Sequence, residues 1–355
     1  MSPGAVAEKP SDAVAAIERE LASIWSVPDP STGVAKVRAS TLNYVAATGV
    51  DALDELRAMT DQLAETHAGR VLLLWVDGRL PPWAVTHEVS GVCRPSAGTS
   101  VCNDRVEIGF GAVAAERAAS IVRSLALSEI PIVAEITAGA PSKLAHALAG
   151  VAQRLVVDSR GMRLAPITDL FARCGGPIAD RAWVRAFSWR DLVARFFDEH
   201  PAQAGTIARV RITRARAPGG ADPAHLLLGW LSSRLGWTEI GRDGARRADG
   251  GTIEVAVEES PGGLAPDGEL ASIAIDAGDG TGAIACVVER QGAGRDVRWC
   301  LRRDADGCPD VERRMALGQR DETWVLVKAI ESTEGDRAYR DAVFAGARWE
   351  AWWGP

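Results

Sequence analysis

The chain lacks any apolar run long enough to cross a bilayer. Its longest aliphatic stretch, Val71 to Val76, falls far short of the roughly 20 residues that a spanning helix needs. The first dozen residues, MSPGAVAEKPSD, lack the charged-then-apolar pattern of a secretory leader, so a cytoplasmic protein with no membrane partner is expected. Positive charge is not in excess either: 40 Lys and Arg stand against 47 Asp and Glu, for a net charge of −7. That removes the broad basic field that nucleic acid selects for. Lysine is scarce, with Lys9, Lys36, Lys143 and Lys328 the only four, a bias that carries no functional weight. Six cysteines without a CxxC pair make neither a disulfide scaffold nor a zinc ribbon. GxSxG, Walker, HExxH and EF-hand patterns are missing, and the five histidines are scattered. A non-enzyme without metal or cofactor is the expectation.

What is present is an ordinary globular composition, 47% hydrophobic and 25% charged over 355 residues, and that length favours two domains. The start, residues 1–34, reads as a helical arm (Val14, Ile17, Leu21 and Ile24 at helical spacing) followed by a Pro-containing linker. Residues 35–160 read as an N-terminal mixed-sheet α/β domain. A strand through KVRASTLNYVAAT, a helix over Asp51 to His67 and a buried strand from Arg70 to Val76 form its βαβ opening. Strands over Trp83 to Ser90 and Val101 to Ile108, joined by the loop CRPSAGTSVC, precede a helix over Ala112 to Leu127. Further alternating strands and helices run to Asp158. Residues 161–355 read as a C-terminal α+β domain with an antiparallel sheet. It opens with a helix at SWRDLVARFFDE whose Ser188 and Asp191 form a capping box. Asp222 and Pro223 begin a second helix, which Gly236 ends. Four strand patterns (251–258, 270–277, 283–290, 295–302) follow, then helical patterns at 309–317, 321–331 and 336–350. The run Gly278 to Gly282 sits between two strands and reads as a hairpin turn, since a dinucleotide fingerprint must open a helix after a strand.

Three constellations stand out. Asp158 and Ser159 end a buried strand, the edge where α/β proteins hold ligands, so they could face a small anion, although turn capping explains them more simply. Cys93 and Cys102 flank a loop between neighbouring strands and could form a reversible disulfide; two independent buried thiols are the preferred reading. Twelve tryptophans stand against two tyrosines, several of them beside arginines: Trp183 near Arg181 and Arg185, Trp189 with Arg190, Trp230 near Arg234, and Trp349 by Arg348. Tryptophan and arginine are enriched where protein surfaces dock, while core packing accounts for most tryptophans.

Four segments in order, KVRASTLNYVA, VCNDRVEIGFGAVAAERAASIVRSLALSEIPIV, QRLVVDS, and RAWVRAFSWRDLVARFFDE followed by HLLLGWLSSRLGW, resemble the OpcA family of glucose-6-phosphate dehydrogenase assembly proteins. The resemblance implies a two-domain, non-catalytic protein. It would bind glucose-6-phosphate dehydrogenase and favour its active oligomer at the entry to the oxidative pentose phosphate pathway. On that implication Trp183, Trp189, Arg190, Trp230, Arg234 and Trp237 are the candidate docking residues. The competing expectations are an enzyme or sensor that binds a sugar phosphate or nucleotide near Asp158, and a redox-responsive module operated by Cys93 and Cys102.

Overall fold

A computed structural model describes residues 5–7, 10–26, 33, 36–38, 40–96, 99–215, 221–260, 265–278, 283–292, 296–303, 310–317, 321–332 and 336–353. The chain runs β1 (Ala5–Ala7), α1 (Pro10–Ser26), β2 (Lys36–Arg38), β3 (Leu42–Ala47), α2 (Leu53–Leu63), β4 (Gly69–Val76), β5 (Val85–Ser96), β6 (Thr99–Phe110) and α3 (Ala118–Leu125). Next come β7 (Ile132–Ile136), α4 (Ser142–Ala149), β8 (Arg154–Val157), α5 (Leu164–Arg173), β9 (Ile178–Asp180), α6 (Arg181–Arg185) and α7 (Phe187–Glu199). It continues with β10 (Ile207–Arg214), α8 (Pro223–Leu235), β11 (Thr238–Gly241), β12 (Gly244–Arg246), β13 (Thr252–Glu259) and β14 (Leu270–Ala277). The last elements are β15 (Ile284–Arg290), β16 (Asp296–Arg302), β17 (Val311–Ala316), α9 (Glu322–Glu331) and α10 (Arg337–Trp353). Two compact units divide it. The N-terminal unit takes Met1–Asp158, Leu170–Ala179 and Glu322–Gly335, and the C-terminal unit takes Ser159–Asp169, Asp180–Asp321 and Asp336–Pro355.

The N-terminal unit is the mixed α/β layer that the alternating pattern predicts. Its strands lie in the order β1-β5-β6-β4-β3-β7-β8-β9, with β2 also on β6. β3, β4, β6, β7 and β8 pair in parallel, and β5 folds back antiparallel on β6. Strands covered on both faces need apolar residues at every position, and Leu72, Leu73 and Leu74 are fully buried in succession. Three local expectations change. The stretch from Lys36 to Ala47 splits into β2 and β3, and a short 3₁₀ turn over Ala114–Arg117 precedes a shorter α3. The supposed loop from Cys93 to Cys102 is largely hairpin, because β5 and β6 stay paired out to Ser96 and Thr99.

The C-terminal unit carries an eight-stranded sheet in the order β11-β12-β13-β10-β14-β15-β16-β17. It is antiparallel except for one parallel pair, β10 with β13. β10 lies at its centre, where Val210 and Ile212 point into the core while Arg209 and Arg211 point out, the period of two that a half-covered strand requires, and a register shift between Ile207 and Arg209 brings Ile207 into the core as well. α7 and α8 supply Leu192, Phe196, Leu227, Leu228 and Leu231 to the same core. α8 packs on α10 at two glycines: a Cβ at Gly229 would lie 2.1 Å from the Ala342 carbonyl oxygen, and one at Gly346 2.7 Å from that of His225.

Asp222 caps α8 by accepting from the Ala224 amide (2.9 Å), and Gly236 ends it at φ 65°, as the sequence leads one to expect. The capping box at Ser188 does not form. α7 starts one residue earlier, from Ala186, which makes no side-chain cap, because the preceding turn α6 already directs the chain into it. Residues 311–316 form an edge strand on β16 rather than a helix, since pairing with an existing strand outweighs weak helix propensity. Residues 279–282 lie outside the described residues; the strands on either side pair antiparallel.

Candidate functional site in the C-terminal unit

Three of the candidate docking residues, Trp183, Trp189 and Arg190, lie on α6 and α7. Asp180 caps α6 through the Ala182 amide (2.8 Å) and also accepts from the Ser159 amide (3.1 Å). Trp183, on α6, is buried at 6% exposure, and its Nε1 donates to Asp336 Oδ2 at 2.6 Å. Asp336 in turn accepts the Tyr339 amide at 3.0 Å, which fixes the first turn of α10. Arg190 lays its guanidinium on the Trp183 ring, with Cζ 3.2 Å from the centroid, and donates from Nη2 to the Trp183 carbonyl at 2.9 Å. Burial pushes the Arg190 pKa down to about 10, against the opposing pull of Asp336 and Asp180. Removing the solvent shell costs the charged form more than two carboxylates at this range return.

Trp189 and Trp237 are buried in the core of the unit. Trp183, Trp189 and Trp237 thus present no face to a partner in this conformation, and Arg190 is spent on Trp183. Their arrangement braces α6, α7 and the end of α8 from beneath. Trp230 and Arg234 are different: both are partly exposed on α8, and Arg234 reaches Asp341 of α10 at 3.1 Å. The outward side of α10 continues from there. Arg340, Phe344, Arg348 and Trp352 recur every fourth residue and are all exposed, Phe344 at 44% and Trp352 at 57%. Spacing of four places them along one helical stripe. Trp349 lies off that stripe: it is fully buried and donates to the Ser232 hydroxyl at 3.0 Å.

Asp158 and Ser159 are both buried after β8. Ser159 lines a cavity of about 50 Å³ with Arg160, Arg185, Trp189, Asp222 and Glu269; Asp158 is not among its lining residues. Ligand pockets start near 300 Å³, so this cavity suits a solvent molecule better than a sugar phosphate.

Cys93 and Cys102 face each other directly across the β5/β6 ladder and are joined by a disulfide. This corrects the preference for two independent thiols. Antiparallel pairing carried further along the hairpin than expected, and directly opposed side chains on one face lie within bonding reach. Cys286 and Cys300 are buried free thiols, and Cys308 lies outside the described residues.

The fold and these features define a class: a two-unit protein with an N-terminal α/β layer and a C-terminal α+β layer, with aromatic and arginine side chains on its last helix. The glucose-6-phosphate dehydrogenase subunit N-terminal domain model matches residues 60–174, and the corresponding C-terminal domain model matches residues 176–343. The chain belongs to the OpcA family, which these two models describe. A relative from Nostoc punctiforme, described as a putative OxPP cycle protein OpcA, is 28% identical over 193 residues, 51% of this chain and 41% of that protein. The match thus spans about two-fifths of that relative's length. Among solved structures, the 3-ketoreductase KijD10 from Actinomadura kijaniata superimposes with a TM-score of 0.47 at 13% identity, covering 87% of this chain and 95% of that one. A super-repressor mutant of Gal80p from Saccharomyces cerevisiae gives 0.44 at 10% identity, covering 88% and 95%. At such distances neither likeness bears on chemistry. Among the described residues no helix is long and apolar enough to cross a membrane.

Proposed function

We propose that this protein is a non-catalytic, cytoplasmic assembly factor that binds glucose-6-phosphate dehydrogenase and favours its active oligomer. The observation that carries this reading is the order of the two family matches, N-terminal then C-terminal domain, along one chain. The mechanism is linkage: a protein that binds the active oligomer better than its alternatives shifts the population toward it by no more than that difference in affinity. No bond-making residue is required.

The docking surface in this proposal is the outward stripe of α10, Arg340, Phe344, Arg348 and Trp352, extended by Trp230 and Arg234 of α8. Exposed aromatic and arginine side chains are the composition of interface anchors. Trp183 ties α6 to the start of α10 through Asp336, and Trp189 and Trp237 lie in the core of the same unit. The experiment is size-exclusion chromatography with light scattering on the protein mixed with glucose-6-phosphate dehydrogenase of its own organism, with activity assayed across the peak. Co-elution with raised activity supports the reading; separate elution with unchanged activity sinks it.

A further inference from the structure

A second cavity in the C-terminal unit, about 300 Å³ in volume, is chemically unlike the first. Arg214, at the end of β10, and Asp222 and His225, at the start of α8, form its polar wall. Arg214 is 6% exposed and donates from Nε to Asp222 Oδ2 at 2.5 Å. Its Nη1 is buried with no hydrogen-bond acceptor among the described residues. A buried guanidinium N–H without an acceptor is costly, and native proteins seldom leave one so. Asp222 accepts the Ala224 amide on Oδ1 and the Arg214 Nε on Oδ2, and Arg214 Nη1 makes no hydrogen bond to it.

The rest of the enclosure is shaped for a compact body. Val255 and Val257 form an apolar side, and Trp353, at the end of α10, also lines the cavity. That ring is held on three sides. It stacks on His225 (5.6 Å between centroids, 23°) and on Trp349 (5.2 Å, 28°), and its Nε1 donates to the Arg242 carbonyl at 2.7 Å. Arg242 and Asp243, also lining the cavity, carry opposite charges, as do Arg214 and Asp222, so the preference for an oxyanion rests on the Arg214 Nη1 donor that lacks an acceptor rather than on net charge. The volume sits at the lower end of the range for small-molecule sites.

We propose that this cavity binds a small metabolite bearing an oxyanion, a phosphate or a carboxylate, with the oxyanion on the free edge of the Arg214 guanidinium and its carbon body against Val255, Val257 and Trp353. A planar guanidinium can hold Asp222 with one edge and a ligand with another, which a lysine ammonium does with poorer geometry. Because Trp353 belongs to the helix whose outward side carries Phe344 and Trp352, occupancy of the cavity would steady the end of that helix. The site itself stands or falls independently of any partner.

The test is isothermal titration calorimetry on the full chain with inorganic phosphate, and separately with succinate, at constant ionic strength. Saturable binding of one probe is expected and names the oxyanion. Arg214→Lys should weaken it by about tenfold or more, and Val257→Phe, which fills the cavity from its apolar side, should abolish it while circular dichroism stays native. Should Arg214→Lys fail to fold, Val257→Phe decides alone. Saturation by neither probe, or undiminished binding by Val257→Phe, overturns the proposal.

Discussion

The central strands of the two sheets carry their charge differently. In the N-terminal unit β3, β4 and β7 are largely enclosed on both faces, and where polar groups enter they are tied on several sides. Arg70 pairs with Asp104 at 3.0 Å and donates to the Leu125 carbonyl at 2.5 Å, while Trp25 Nε1 donates to Asp104 at 2.6 Å. In the C-terminal unit β10, β13 and β14 cover only one face. Their outward residues make open pairs: Arg209 with Glu254 at 2.9 Å and with Asp276 at 3.7 Å, each side chain more than 40% exposed. Charge latches the interior of the first sheet; on the second the outward pairs of β10 are solvated, while the Arg214–Asp222 pair at the end of that strand is buried. The consequence for function is that the second unit has surface and edge to spare, and both its exposed aromatic stripe and its larger cavity lie there.

Breaking the latch and a solvated pair should give the widest contrast. Arg70→Ala leaves Asp104 buried without its cation, and should cost about 3–5 kcal/mol in urea denaturation. Arg209→Ala should cost at most about 1 kcal/mol, since exposed pairs are weak and screened. Equal costs would erase the distinction between the two sheets.

The cysteines sharpen the same contrast. Cys93 and Cys102 are opposed on one face of β5/β6, whereas Cys286 pairs across the ladder with Leu301 and Cys300 with Val287. The latter two thiols therefore lie on opposite faces of neighbouring strands and stay free, and burial pushes the Cys286 thiol up to about 12. Cys93→Ser should lower stability by about 2–3 kcal/mol, the loop-closure effect for so short a loop. Dithiothreitol should lower the native protein by the same amount and leave the variant unmoved. A dehydrogenase response to reductant that vanishes in Cys93→Ser is what the redox-responsive reading requires; a response of equal size in both proteins removes it.

Much of the fold was legible in the residues, because enclosed parallel strands and capped helices write local signals: Val71 to Val76, or Asp222-Pro223 through Gly236. β10, the central strand of the second sheet, is absent from the sequence reading, although Val210 and Ile212 alternate there with Arg209 and Arg211. β17 was not legible, since an edge strand is decided by its neighbour rather than by its own composition. The site was harder. Trp183 and Asp336 are 153 residues apart, and nothing local says which tryptophan faces water, because an indole with a satisfied N–H fits a core as well as an interface.

The exposed stripe tests the functional half of the contrast. Phe344→Glu combined with Trp352→Glu should weaken dehydrogenase co-elution by about 2 kcal/mol or more, the scale of an interface anchor, with unfolding midpoints within about 0.5 kcal/mol of native. Unchanged binding would clear α10 of the docking role and leave the partner reading without its surface.

A comparably small effect belongs to Arg190, whose guanidinium lies on the Trp183 ring in the C-terminal unit. Burial, the larger cause, lowers its pKa from the free side chain's value to about 10 when folded. Below the folded value both states are protonated, so the cost of burying the cation is constant from neutral pH to about 9. Between the two values the folded state sheds the proton first, the unfolded state holds more protons, and stability from this group rises with pH. Other groups that titrate in alkali cancel if the native protein is compared with Arg190→Met. That difference in unfolding free energy should move in favour of the native protein by about 1 kcal/mol between pH ~8 and ~11. A difference that stays flat would mean the guanidinium on Trp183 keeps its water. A shift of the opposite sign would mean that Asp336 and Asp180 outweigh the burial.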